Sequence, residues 1–173
     1  MANPSVDELV EMTGWTGATS AGAHWASVEA QLGLRLPTDF KDLAERFPNG
    51  YFSSYVAMYG PVPGSSGHSA LLLQGEQSLE IMRCREDLPH PVHPAAGGLL
   101  PWSETIEGDQ LCWLTADPDP DRWPVVFCTA DFQQWGEHPG GAAAFLLDLL
   151  AGRVTHEIFA RYSGRLIPQF NPI

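Results

Sequence analysis

Trp25-Ala26-Ser27-Val28-Glu29-Ala30-Gln31-Leu32-Gly33-Leu34-Arg35-Leu36-Pro37-Thr38-Asp39-Phe40-Lys41-Asp42-Leu43 is the stretch of this 173-residue chain that decides its architecture. Trp25, Val28 and Leu32 fall on one helical face, and Gly33 supplies the stop. Leu34 to Pro37 then turns the chain, because proline blocks continuation of a helix. Thr38 is expected to cap a new helix whose apolar face carries Phe40, Leu43, Ala44 and Phe47, and Pro48-Asn49-Gly50 ends it. Upstream, Thr19 or Ser20 is the expected cap of the Trp25 helix. Ser5 and Glu8 stand at capping-box spacing, which predicts a short helix over 6–12 ended by Gly14 and Gly17.

Downstream the texture changes to Tyr51, Phe52, Tyr55, Val56 and Tyr59, which predicts one or two strands. Gly60 to Ser69 reads as a loop, Leu71 to Leu73 as a short buried strand, and Ser78 to Leu88 as a helix. Pro89-His90-Pro91-Val92-His93-Pro94 forbids regular structure. Strands are expected at Leu99 to Trp102, Gln110 to Leu114 and Trp123 to Phe127, spaced closely enough to be antiparallel neighbours. A helix from about Gly140 carries Ala144, Phe145, Leu149 and Leu150 to a stop at Gly152. A further helix is expected over 155–162, and Pro168 to Ile173 reads as a loose tail. No repeat or long linker divides the chain. The order predicts one α+β domain over 1–173, an antiparallel β-sheet flanked by N-terminal helices and a C-terminal helix, with its core over about 20–152 and a C-terminal extension over 153–173.

Composition narrows the function. Twenty-one Asp and Glu face nine Lys and Arg, a formal charge of −12, and 44% of residues are hydrophobic, which is ordinary globular content. Free nucleic acid needs a basic face and is not expected as a ligand. Lys41 is the sole lysine, so the chain has no P-loop pattern and one Schiff-base candidate. The N-terminus shows neither the charge nor the apolar run of a secretory signal, and Ala142 to Ala151 is about half the ~20 residues a membrane helix requires. Cys84, Cys112 and Cys128 form neither a disulfide framework nor a Cys-x-x-Cys site. A cytoplasmic protein with no membrane contact is expected.

Motifs for chemistry are weak. Asp117-Pro118-Asp119-Pro120-Asp121 begins like a calcium loop, but Arg122 replaces its glycine and Cys128 its glutamate. His90, His93 and Cys84 are zinc-type ligands without a fourth partner. Gly64-Ser65-Ser66-Gly67-His68 lacks the spacing of a nucleophile elbow. No catalytic residue, cofactor or metal is therefore expected, and oligomeric state is open. What stands out is acid between Trp102 and Glu137: eight carboxylates face Arg122 alone, interleaved with Trp113, Trp123 and Trp135. Their bland reading is a solvated face over core tryptophans. The functional one is a negative rim, formed by Glu104, Glu107, Asp109, Asp117, Asp119 and Asp121 around Trp123 as anchor, which captures a basic protein partner.

The opening stretch, read as Trp25-x-x-Val28-Glu29-x-x-Leu32-Gly33-Leu34-x-Leu36-Pro37-x-Asp39-Phe40-Lys41-x-Leu43 and followed by Asn49-Gly50, resembles the N-terminal signature of the SUKH superfamily. Leu99-Leu100-Pro101-Trp102, Gly108-Asp109-x-Leu111-Cys112-Trp113, Trp123-Pro124-Val125-Val126 and Phe145-Leu146-x-x-Leu149-Leu150 are similar to its sheet and closing helix. The resemblance runs from about Trp25 to Gly152. The His90 region and the tail after Gly152 inherit nothing from it. It implies an α+β domain that acts by binding and not by catalysis. In bacteria such domains commonly neutralise a toxin, often a nuclease, in the cell that makes it. The alternative is a regulatory or scaffolding module, of the fungal cell-wall-assembly regulator type, that binds a housekeeping partner.

Overall fold

The computed structural model describes residues 3–18, 24–62 and 69–173. Among these are five helices and two antiparallel sheets, an α+β fold. Helix α1 (Pro4–Thr13) buries Val6 and Leu9. Its cap is Asn3 and not the expected Ser5: Pro4 has no N–H and suits the first helical position, which leaves Asn3 to accept from Ser5 N at 3.0 Å. Helix α2 (Trp25–Leu32) ends at Gly33, where φ of 72° is the left-handed conformation a Gly adopts without strain. Its expected caps, Thr19 and Ser20, lie outside the described residues.

Helix α3 (Thr38–Arg46) begins where Pro37 ends the turn and buries Phe40, Leu43 and Ala44. The polar residues of the opening stretch lock this turn. Glu29 Oε1 accepts from Leu36 N at 2.8 Å and forms an ion pair with Lys41, so α2 and α3 grip the connection from both sides. Thr38 does not cap α3 with its own side chain; its N–H and hydroxyl both donate to Asp121 Oδ1, at 2.7 and 3.0 Å. Asp39 reaches across to helix α5 (Ala142–Leu150), where its Oδ2 accepts from Ala143 N at 3.0 Å. A Cβ on Gly141 would collide with that carboxylate. Burial raises the Asp39 pKa against the opposing backbone hydrogen bonds. D39A should therefore cost about 1 kcal/mol, the usual loss of a cap, and D39N less, because the amide keeps an acceptor without a buried charge. Urea midpoints of the two variants check the order.

Strands β1 (Gly50–Phe52) and β2 (Val56–Met58) pair antiparallel. Helix α4 (Ala70–Arg83) follows and corrects two expectations: Leu71 to Leu73 is its first turn and not a strand, and it stops before Leu88. Ser69 caps it, accepting from Leu72 N at 3.1 Å. Gly75, which interrupts the helical pattern, lies where α4 packs on the sheet, and a Cβ there would be 3.4 Å from the Pro101 carbonyl. The second sheet has the order β3 (Leu99–Glu104), β4 (Gln110–Leu114), β5 (Val125–Cys128), β6 (Trp135–His138). Side chains alternate across it. Leu100, Trp102, Leu111, Trp113, Val125 and Phe127 face the main core under α3 and α5, while Leu99, Cys112, Val126 and Cys128 face a smaller cluster with Met82.

Strand β6 was not expected, because it is short and half-exposed and has no alternation to betray it. The helix expected over 155–162 is a 3-10 turn, Glu157–Phe159. The tail is not loose: β7 (Phe170–Pro172) pairs antiparallel with β1, opposite β2. Phe170 then packs against Trp15, Phe47 and Phe52, each 5.0 Å between ring centroids. The two sheets meet where Ser103 Oγ donates to Ala57 O at 2.6 Å and Ile106 N to Tyr55 O at 2.9 Å.

Candidate functional site

Strand β4 separates the acidic residues into two groups. The Thr105–Asp109 turn precedes it and the Thr115–Pro124 connection follows it, so Glu104, Glu107 and Asp109 lie at one end and Asp117, Asp119 and Asp121 at the other. Five residues at ~3.3 Å each put about 17 Å between the ends. One continuous rim around Trp123 is therefore not what the fold builds. Trp123 itself is 5% exposed, lies with its ring tilted 51° to that of Trp113 at 6.4 Å between centroids, and donates Nε1–H to Asp117 O at 2.7 Å. It belongs to the core, which corrects its placement as a surface anchor.

At the far end the carboxylates serve the chain's own turns. Asp117 Oδ1 accepts from Asp119 N, Asp119 Oδ1 from Asp121 N, and Asp121 caps α3. Arg122 lies 3.9 Å from Asp119.

The near end differs. Thr105 Oγ1 accepts from Glu107 N and Asp109 N and donates to Asp109 Oδ2 at 3.0 Å, which draws the turn tight; Gly108 sits in it at φ 86°. Ile106 projects from the tip, 61% exposed. On one flank, a recess of about 370 Å³ is lined by Glu107, Asp109 and Asp131 with Thr129, Gln133 and Gln134. Asp131 comes from the β5–β6 connection, where the Thr129 hydroxyl and Gln133 N–H bonds hold its pKa below the usual carboxylate range. Asp109 is 6% exposed. Burial raises its pKa, the Thr105 bond opposes, and Glu107 and Asp131 raise it further. On the other flank stands Glu104, whose Oε1 accepts from Tyr59 Oη at 2.9 Å. Among the described residues, two bases bond to this end: Arg161, 3.0 Å from Glu107, which also accepts from Tyr162 Oη at 2.7 Å, and Arg85, whose Nη2 donates to the Asp131 carbonyl at 3.3 Å.

Tyr59, Asp131 and Tyr162 are site residues that sequence spacing did not single out as such, because they reach the Thr105 turn from just after β2, from the β5–β6 connection and from the region after α5. Among the described residues no three His, Cys, Asp or Glu side chains are arranged to hold a metal ion. His93 is buried with Arg83 donating to its carbonyl, whereas Cys84 is exposed. Burial raises the thiol pKa of Cys112, and that of Cys128 to about 12, so neither supplies a thiolate. The Gly64 to His68 motif lies outside the described residues. No helix among the described residues is long and apolar enough to cross a membrane.

The antiparallel sheet with its α2–turn–α3 clamp and closing helix α5 defines an α+β domain with an acidic turn end. The chain belongs to the SUKH superfamily: the family model described as SMI1-KNR4 cell-wall (SUKH_6) matches residues 23–142, more than two thirds of its length. Membership supports a protein-interaction or immunity-like role in general, and the family is generally non-enzymatic. No curated protein and no solved structure matches the chain.

Proposed function

We propose that this protein is a non-enzymatic immunity protein that binds a basic toxin domain, such as a nuclease, through the acidic turn end of the sheet. One observation carries the reading: the exposed Ile106 stands at the tip of the Thr105–Asp109 turn, with Glu104 on one flank and the recess of Glu107, Asp109 and Asp131 on the other, where Arg161 pairs with Glu107 and Arg85 bonds to the Asp131 carbonyl. An apolar tip flanked by like charge suits capture of a basic surface. The carboxylates accelerate encounter, and the tip gives an apolar contact once docked. A nuclease is basic where it grips nucleic acid, so a chain of charge −12 would mask that grip.

Affinity capture from the native cell with mass spectrometry identifies the partner, and binding kinetics at several salt concentrations test the face. A toxin domain is expected. The E107Q/D131N variant should associate roughly tenfold more slowly at low salt and with a flatter salt dependence, since screening acts over ~8 Å at physiological ionic strength. D117N/D119N should change little. A housekeeping partner, or association indifferent to E107Q/D131N, sinks the proposal.

A further inference from the structure

Opposite the acidic recess, the other flank of the Thr105–Asp109 turn forms a hollow of about 320 Å³ lined by Tyr51, Tyr59, Glu104, Thr105, Ile106 and Gly108. Its walls follow from strand register. Tyr51 pairs with Ala57, so Tyr51 and Tyr59 are diagonal neighbours on one face. Gly50 and Phe52 alternate to the opposite face, where Phe52 joins the core.

Glu104 is the hollow's one carboxylate. Tyr59 Oη donates to Oε1 at 2.9 Å, and Oε2 has Gln110 Nε2 at 3.4 Å. Among the described residues no basic side chain pairs with it. Each oxygen accepts one bond and keeps a second lone pair, and a carboxylate with no basic partner in a hollow lined by two tyrosines is matched by one side-chain chemistry. A guanidinium is flat and weakly hydrated, stacks on aromatic faces and donates to both oxygens of a carboxylate. An ammonium is a compact, strongly hydrated charge that uses neither the flat walls nor the fork. Burial, then Glu104 itself, raises the Tyr59 pKa, so its phenol stays a donor and the charge of the hollow is that of Glu104.

We propose that this hollow is the receptor for an arginine side chain of the protein partner. The inference rests on the reading that this end of the sheet faces the partner, and gives that reading its chemical specificity. Two-dimensional amide NMR on the full chain tests it with N-acetyl-arginine amide, its neutral isostere N-acetyl-citrulline amide, and N-acetyl-lysine amide.

The arginine probe should shift the Tyr59 and Thr105 to Gly108 resonances saturably, with a Kd in the millimolar range; citrulline should give no saturable shift, and lysine should bind more weakly than arginine. E104Q should weaken the arginine probe at least about tenfold, the loss of one charge-assisted contact, and D117N/D119N, at the far end of β4, should leave it unchanged. Citrulline or lysine binding as well as arginine overturns the assignment, as does an arginine response centred on Glu107 to Gln134 or no saturable response. These comparisons within the wild-type protein stand even if E104Q disturbs the fold. Failure of the functional reading appears elsewhere, as partner association indifferent to E107Q/D131N.

Discussion

Truncating Trp123 to alanine should remove about 3–5 kcal/mol of folding stability, the range for deleting a buried aromatic side chain, and should not act as a selective loss of binding. The ring is 5% exposed and shares a core with Trp113, Phe40 and Trp102. Losing it vacates a large volume beside Trp113 and frees the Asp117 carbonyl that accepts its indole N–H at 2.7 Å. Asp121 sits two residues before it and caps α3, so the damage should spread to the α3 N-terminus. A urea melt checks the first claim. Partner kinetics measured where the variant remains folded check the second. An unchanged urea midpoint with faster dissociation would restore Trp123 as an anchor.

Phe170→Ala should have an effect of the same size, about 3–5 kcal/mol, although the residue lies three positions from the C-terminal end of this sequence. Its ring is 7% exposed and meets Trp15 just after α1, Phe47 at the end of α3 and Phe52 in β1. At ~2–4 °C per kcal/mol for a domain of this length, the melting temperature should fall by roughly 10 °C. Removing residues 169–173 should do at least as much, since it also strips the β7 ladder from β1 and the Ser53 N–H bond to Gln169 O at 2.8 Å. Gly50 shows how close that strand lies: a Cβ there would collide with the Asn171 carbonyl. A truncated chain with an unaltered melt would place the tail outside the core.

The two substitutions concern residues whose neighbours differ in origin. Phe40 and Leu43 announce their burial by helical spacing, whereas Phe170 sits in a run, Gln169-Phe170-Asn171-Pro172-Ile173, with no periodicity. Its burial depends on β1 being available some 120 residues away in sequence. The acidic residues show the same division. Asp117, Asp119 and Asp121 satisfy nearby backbone donors, and spacing of two residues already suggests such turns. That Asp121 also caps α3, and that Asp131 meets Glu107 across two connections, follows from packing alone.

By itself the sequence determined the α+β class, the α2–turn–α3 unit, the first three strands of the second sheet and α5. Each of these is written in local terms: apolar residues at a helical or alternating period, a Gly at the left-handed stop, a Pro that turns the chain. It determined the superfamily as well, because the signature is written in that same local unit, which Glu29 clamps through Leu36 N and Lys41. Tertiary structure alone decided that α4 swallows Leu71 to Leu73, that β6 and β7 form, that Trp123 is core, and that the acid is split between the two ends of β4. The physical reason is that strand pairing and burial join residues distant in sequence. A short segment such as Phe170–Pro172 gains hydrogen bonds and apolar contact from its partner strand, and its own composition carries no trace of them.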